Sequence, residues 1–445
     1  MIRDFYFSKL LKYSFFFRAY ADYHHARRGT PGKNEEDLKG QDNEALRTGS
    51  LKELVRKAEK TGAAVYGKEL ILGYSEDPEK TILLVSHDLS RSGAPLALLN
   101  LALTLKRAGW QTLIVSPLDG AVGTYAADHG IPSIYDKSLY NAGCISAIKD
   151  LFALIIVNTI VCAPVVNELD GTDAAVIWWI HEANVLYDLE KANTVSRKLT
   201  DNICVCCTGN YARCALTRRF PRYNAETLLY YVKDNSCYNT DAAASLRAPA
   251  AEQKVFACIG SFENRKGQDI LIEAIENLPD KIRRNCRFIF AGIAADPAII
   301  KQIQEMQQRS PGQIVFLGEL RKEELYEVYK EIDFLICPSR DDPMPIVAAE
   351  AMSLGKPCLC SRNTGTSDII RRYKAGYIYK KNDPRRLAKL IIQAYNMQDD
   401  EYRRLAENAR YAFEDVFSED VFEKRLAEIM MRLTGKYIIH TDYDE

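Results

Sequence analysis

The sequence predicts an α/β protein built from two doubly wound domains in series. Three observations carry this. Short strands apolar on both faces, such as Thr81-Ile82-Leu83-Leu84-Val85, alternate with helical stretches, which is the pattern of a buried parallel sheet. The pattern runs twice, from Thr81 and again from Lys254, with a polar, alanine-rich stretch from Lys233 to Glu252 between the runs. The chain of 445 residues also exceeds the roughly 250–300 at which a single core stops growing.

Composition narrows the class. Apolar residues make up 47% and charged residues 27%, as in ordinary soluble domains. A net charge of -1 gives no basis for a nucleic-acid partner. The 12 cysteines fall mostly on predicted strands, in no spacing typical of zinc or of a disulfide framework. They read as small core residues in a reducing compartment. No apolar run reaches the ~18 residues of a membrane span, and Phe15-Phe16-Phe17 is not followed by a small-residue cleavage site. The expected location is cytoplasmic.

Residues 1–28 are basic and aromatic, a composition that suits either a helix on an anionic membrane surface or one packed on the main body. Residues 29–50 read as a linker, Leu51 to Thr61 as a helix, and Ala63 to Tyr74 as ambiguous. The first series then predicts strands at Thr81–Val85, Gln111–Ser116, Ile131–Tyr135, Leu154–Asn158, Ala174–Ile180, Ile203–Cys207 and Thr227–Val232. The second predicts strands at Val255–Ile259, Phe288–Ala291, Ile314–Leu317, Phe334–Ile336, Pro357–Cys360 and Gly376–Tyr379. Its helices include Asp269–Glu276, Lys322–Ile332 and one beginning near Pro345. After Pro384 the chain reads as helical nearly to Thr434, long enough for its end to cross back onto the first domain. The divisions are 1–78, 79–235, 253–415 and 416–445.

Doubly wound sheets bind ligands at the carboxyl ends of their strands. The chemistry-bearing residues fall there in both series: His87 and Gly93, His181 with Glu182, Ser261 to Gly267, Gly292, Gly318-Glu319, and Asp342 to Glu350. This placement predicts one cleft faced by both domains. Pro345 suits the first turn of a helix, where the amide that proline lacks would have no partner. That helix mouth offers free amides and partial positive charge to an anion. Asp342 would stand just outside it. The Glu350 carboxylate would lean back toward it. Lys266 and Arg265 add cationic groups suited to a diphosphate. His181 follows a strand directly and is placed to contact a sugar; His87 has the weaker claim. His129 reads as a helix end, and His24, His25 and His440 lie in tails. No Ser-His-Asp set, phosphate-binding lysine loop, glycine fingerprint for a dinucleotide or metal spacing stands out.

These residues resemble the retaining glycosyltransferases of family 4, which have the GT-B fold. The resemblance spans about Thr81 to Thr434. It is strongest in Gly260…Lys266-Gly267-Gln268-Asp269, Phe290-Ala291-Gly292, Phe316-Leu317-Gly318, Pro338-Ser339…Glu350-Ala351-Met352…Gly355-Lys356-Pro357 and Ala375-Gly376. It implies two Rossmann-like domains facing across a cleft, with the N-terminal segment as an addition. Asp342-x7-Glu350 matches the family's paired acids. The resemblance places Asp342 near the donor sugar and Glu350 on the ribose. Amides around Met344, Pro345, Ile346 and Val347 would lie on the sugar and phosphates, Lys266 on the diphosphate and His181 on the sugar. Gly93 matches the glycine loop after the first strand. Two departures stand out. Asp342 replaces the usual Glu, and Ser261 stands where an arginine is usual, with Arg265 nearby.

The implied activity is transfer of a sugar from a nucleotide-sugar donor to a glycan or lipid-linked acceptor, with retention and without a metal, in cell-surface polysaccharide or glycolipid synthesis. A nucleotide-sugar isomerase of the same architecture and a non-catalytic sugar-nucleotide-binding subunit are the alternatives.

Overall fold

The structure, a computed structural model, describes residues 48–137, 143–184, 196, 198–238, 253–380 and 382–435. The basic aromatic stretch 1–28, the linker from residue 29 to 47, most of the Lys233–Glu252 segment, and His24, His25 and His440 lie outside the described residues. Two compact units emerge. Among the described residues one holds 48–208, 212–230 and 422–435, and the other holds 209–211 and 231–421.

The first unit begins with helix α1 (Leu51–Lys60), strand β1 (Ala64–Tyr66) and helix α2 (Lys68–Leu72). Ser50 caps α1 by accepting from the Glu53 amide, and the helix buries Leu51, Leu54, Val55 and Ala58 on one face. The repeating βα pattern follows: β2 (Thr81–Val85), α3 (Gly93–Arg107), β3 (Gln111–Ser116), α4 (Ala121–Asp128), β4 (Ser133–Tyr135), β5 (Leu154–Asn158), α5 (Ala163–Leu169), β6 (Val176–Ile180), β7 (Ile203–Cys207), α6 (Asn210–Arg219) and β8 (Ala225–Thr227). Strand order is β1-β4-β3-β2-β5-β6-β7-β8. All pairs are parallel except β1 with β4, so the chain before Thr81 covers the exposed edge of the sheet. Strand β2 is buried along its whole length, as are β5 and β6.

The second unit contains β9 (Lys254–Ile259), α7 (Gln268–Glu276), α8 (Asp280–Arg284), β10 (Cys286–Ala291), α9 (Pro297–Arg309), β11 (Ile314–Gly318), α10 (Lys322–Glu331), β12 (Phe334–Cys337), α11 (Ile346–Ser353), β13 (Cys358–Ser361), α12 (Ser367–Tyr373), β14 (Gly376–Tyr379), α13 (Pro384–Tyr395) and α14 (Asp399–Val416). Its sheet is wholly parallel, in the order β11-β10-β9-β12-β13-β14. Phe256 stacks on Phe288 and Phe334 at centroid distances of 5.3 and 5.8 Å, joining the three central strands from one face. The final helix α15 (Glu419–Thr434) passes from this unit into the first at Phe422.

Element boundaries depart from expectation at one instructive place. The apolar run Thr227–Val232 reads as a strand, yet only Ala225–Thr227 pairs, with β7. Tyr230, Tyr231 and Val232 are buried without joining a ladder. The Val232 amide bonds the Phe417 carbonyl at 3.0 Å instead. Burial alone satisfies the hydrophobic signal there, so the run looks like a strand without being one.

Each sheet has a point where consecutive strands turn in opposite directions. In the first unit it lies between β2 and β5, and in the second between β9 and β12. Diverging crossovers leave a crevice outside the carboxyl ends of those two strands. Gly93 and Thr159 follow one such pair, and Lys266 and Asp342 follow the other.

Candidate active site

In the second unit the crevice is built by two loops. After β9 the chain runs through Gly260 and Ser261 into a short turn, Asn264–Lys266, and then into α7. Gly267, between turn and helix, has φ 72°, and a Cβ there would stand 2.3 Å from the Pro338 carbonyl oxygen. Only glycine satisfies both conditions. The lysine loop thereby packs directly on the loop after β12. Arg340 ties the two together. Its amide bonds the Arg265 carbonyl at 2.8 Å, and its guanidinium donates to the Asn264 carbonyl and takes both oxygens of Asp269. A forked, charge-assisted pair of this kind fixes direction as well as distance.

Lys266 therefore arrives at Asp342, with Nζ 2.7 Å from Oδ2. Asp342 is buried, and Arg265 lies 3.9 Å from its other oxygen. Burial by itself would raise the Asp342 carboxyl. Lys266, then Arg265 and the Met344 amide, outweigh burial and hold it below the usual range. Arg265 is largely occupied: it pairs with Glu263 at 2.9 Å and donates to the Asp341 carbonyl at 3.1 Å. Ser261 donates to the same Glu263. An ammonium carries three N–H groups, and Lys266 commits one to Asp342.

Helix α11 starts at Ile346 with Pro345 as its N-cap. The Ala348 amide bonds the Pro345 carbonyl at 3.1 Å, while the amides of Ile346 and Val347 precede the helix's own hydrogen-bond ladder. Glu350, half-buried in the second turn, accepts from the Tyr329 hydroxyl at 2.7 Å. Burial raises its carboxyl, with the Tyr329 bond pulling the other way. Met344, Pro345, Ile346 and Val347 thus lie between Asp342 and Glu350 on a single stretch.

One contributor escapes the sequence reading. The loop 362–366, after β13, bonds to the segment that holds Asp342. The Asp342 amide donates to the Asn363 carbonyl at 3.0 Å and the Gly365 amide to the Asp342 carbonyl at 2.9 Å. The available signal was Asn363-Thr364-Gly365-Thr366 directly after a buried strand, a short polar run of the kind that ends β12.

In the first unit the strand ends carry polar groups of their own. Gly93 opens α3 rather than preceding it; Ser92 is the N-cap. Asn158 donates to the Ala94 carbonyl at 3.0 Å, joining the ends of β2 and β5. Thr159 has φ 74°, strained for a β-branched residue, and the Trp178 indole donates to its carbonyl at 2.7 Å. Glu182 accepts from the amides of Ile160 and His181, each at 3.0 Å. The His181 ring meets Trp179 edge-on at 4.5 Å. Its Nε2, with Asn158 Oδ1, Thr159 Oγ1 and Thr208 Oγ1, is buried without a hydrogen-bond partner among the described residues. Asn158, Thr159 and Thr208 each follow an apolar strand run, and the sequence reading passes over all three.

Burial, then the neighbouring His87, pulls the His181 imidazolium down to about 3. His181 is neutral at pH 7 and offers a hydrogen bond, not a charge. Its folded value lies below the unfolded 6.5, so the unfolded chain binds the proton first and stability falls as pH drops from about 6.5 toward 3. Between pH 7 and pH 5 this group alone removes about 2 kcal/mol. Urea denaturation at the two pH values should show His181→Asn losing less stability than wild type, by a margin of that order. Equal losses in the two proteins contradict a neutral buried imidazole.

Structure comparison defines the class. The Anabaena protein Alr3699/HepE, solved in complex with UDP and glucose, aligns with a TM-score of 0.64 at 17% identity over 79% of this chain and all of that one. WaaG, a glycosyltransferase involved in lipopolysaccharide biosynthesis, aligns at 0.61 with 16% identity, over 80% of this chain and all of that one. The fold is GT-B. Two family profiles then match the sequence: "Glycosyl-transferase family 4" over residues 78–203 and "Glycosyl transferases group 1" over residues 245–412. The chain belongs to the family 4 glycosyltransferases. An uncharacterized glycosyltransferase of Methanocaldococcus jannaschii is 28% identical over 154 residues, 34% of this chain and 41% of that protein. The O-antigen chain mannosyltransferase C of Escherichia coli is 27% identical over 168 residues, 37% of this chain and 43% of that protein. The matched stretch spans less than half the length of either relative. Among the described residues no helix is long and apolar enough to cross a membrane.

Proposed function

We propose that this protein transfers a sugar, with retention of anomeric configuration, from a nucleoside-diphosphate sugar to a hydroxyl of a glycan or lipid-linked acceptor. The observation that carries the reading is the meeting of Lys266, Asp342 and the start of α11 at the switch point of one sheet. An ammonium and a helix mouth together suit a diphosphate. Residues 253–415 are assigned to the donor and 79–235 to the acceptor, with the end of the chain in 416–445 crossing back. The UDP complex of Alr3699/HepE and the activity named for the O-antigen mannosyltransferase support a nucleotide-sugar donor and a polysaccharide product.

In this mechanism the Lys266 ammonium and the amides of Ile346 and Val347, at the start of α11, take up charge as the diphosphate departs. Asp342 holds Lys266 in place and faces the positive charge growing at the anomeric carbon. The departing phosphate oxygen accepts the acceptor's proton on the same face, so no side chain is assigned as base. His181 holds a donor hydroxyl, as the buried strand-end polar groups beside it support. Gly93, Ser261 and Arg265 line the donor region.

Glu350 is assigned to the ribose diol, with Tyr329 fixing the carboxylate. Tyr329→Phe removes one hydrogen bond to a half-buried carboxylate, worth about 1.5 kcal/mol, the low end for a charged partner. The donor KM should rise about tenfold with little change in kcat. A fall in kcat at unchanged KM contradicts this assignment.

The function is tested by a thermal-shift screen of nucleoside-diphosphate sugars followed by product analysis. A true donor at a hundred times its dissociation constant adds ~2.7 kcal/mol of stability. Transfer should require acceptor, and the product should keep the donor's anomeric configuration. An inverted product refutes retention. Conversion of the donor without acceptor supports an isomerase. Binding without turnover supports a non-catalytic subunit. The membrane assignment for residues 1–28 is tested by flotation on anionic liposomes with and without them.

A further inference from the structure

Strand β7 carries Cys204 and Cys206 two residues apart, so both side chains lie on one face of the sheet. Their sulfurs are 3.7 Å apart. On the neighbouring strand β8, Glu226 brings Oε1 to 2.9 Å from the Cys204 sulfur. The three ligand atoms all lie within 4.8 Å of one another. We infer that Cys204, Cys206 and Glu226 form a binding site for a thiophilic divalent cation, Zn2+ above all, apart from the sugar-transfer centre.

Three observations support this. A tetrahedral zinc with bonds of ~2.3 Å to two thiolates holds their sulfurs ~3.8 Å apart, so the observed separation needs no rearrangement of the strand. The second is charge. Arg425 and Arg432, both on α15, bond the Glu226 carboxylate, and Arg432 also lies 3.5 Å from the Cys204 sulfur. One carboxylate and two guanidiniums sum to +1. Binding releases two thiol protons for one dication, giving a Zn(thiolate)2(carboxylate) unit of charge −1, so the cluster stays at +1 and both arginines keep an anionic partner. The third is access. Cys206 is buried but Cys204 is only half-buried, and the Arg432 side chain beside it is largely exposed. A water would complete the fourth position.

The site spans the middle of β7 and ties it to the edge strand β8, whereas Thr208 follows the carboxyl end of β7. Its consequence is therefore structural. The ion joins β7 to β8 and, through the arginines, holds α15 on the sheet edge. The two-residue cysteine spacing is no zinc signature by itself, because the third ligand comes from another strand.

The test uses the full chain, reduced and stripped of metal with a chelator. Zn2+ titrated in competition with a chromophoric chelator should bind at one equivalent, release close to two protons in weak buffer and raise the melting temperature. Co2+ in its place should show thiolate-to-metal charge-transfer absorption. Cys204→Ser and Cys206→Ser should each weaken binding beyond the roughly 10–100-fold loss typical of an outer-sphere partner. Cys214→Ser, at an exposed cysteine on α6, should bind as wild type does. Absence of a cobalt–thiolate band in folded wild-type protein overturns the inference whether or not the variants fold. So does undiminished zinc binding in a folded Cys204→Ser protein, which would place the ion on other cysteines.

Discussion

Lys266→Ala is expected to lower kcat for sugar transfer by about 10²–10³-fold, the loss seen when one preorganised partner of a developing oxyanion is removed. The same change should also destabilise the protein. Asp342 is 3% exposed, and without Lys266 its nearest cation is the Arg265 guanidinium at 3.9 Å. Breaking a buried ion pair from one side costs about 3–5 kcal/mol. The Lys266 side chain keeps 21% of its surface, which places the loss near the lower figure. The two effects separate in the double variant Lys266→Ala/Asp342→Asn. With the buried charge gone, urea stability should return most of the way to wild type while transfer stays low. Recovery of both together would make Lys266 a purely structural residue.

Gly365→Ala is expected to be the most damaging change of a single methyl. A Cβ at residue 365 would stand 1.7 Å from the Pro343 carbonyl oxygen and 2.7 Å from its carbon. Both are backbone atoms, so no side-chain rotation relieves the contact, and the segment from Asp342 to Met344 must move. Overpacking of this kind costs about 1–3 kcal/mol. The larger effect is on placement, since a shift near 1 Å at a reacting group costs on the order of 10²-fold in rate. Gly312→Ala is the control. Gly312 has φ 83° with nothing within 4 Å of the added methyl, so that variant should lose roughly 1 kcal/mol of stability and no activity. Initial rates and urea midpoints measured together test the contrast. A Gly365→Ala enzyme that loses stability but keeps its kcat contradicts a placing role for this loop.

The fold was legible because parallel strands buried on both faces write themselves as unbroken apolar runs. Thr81–Val85 and Leu154–Asn158 appear in the structure with the bounds their runs predict. The run at Thr227–Val232 misled for the same reason, since burial without pairing leaves an identical trace. The antiparallel pairing of β1 with β4 was not legible, because three residues give too short a pattern and the partner lies near residue 134. The candidate site divides in a similar way. Proline and acid around α11 are local signals. The Lys266–Asp342 pair joins residues 76 positions apart, and each reads alone as a group facing solvent or ligand. The sequence therefore suggested a free lysine, where the structure has one that is held. Asn158, Thr159 and Thr208 were hidden in plain form, as single polar residues closing apolar runs, and only the strand order brings them to one end of one sheet.

The proposed sugar transfer turns on how charge is supplied to a leaving pyrophosphate. Calorimetric titration of the nucleoside diphosphate and the matching monophosphate compares wild type with Lys266→Ala/Asp342→Asn. Wild type should favour the diphosphate by at least about tenfold, ~1.4 kcal/mol, and the variant should bind the two almost equally. If the variant keeps the full preference, the second phosphate is held by something other than Lys266, and a lysine-stabilised departure of the diphosphate is contradicted.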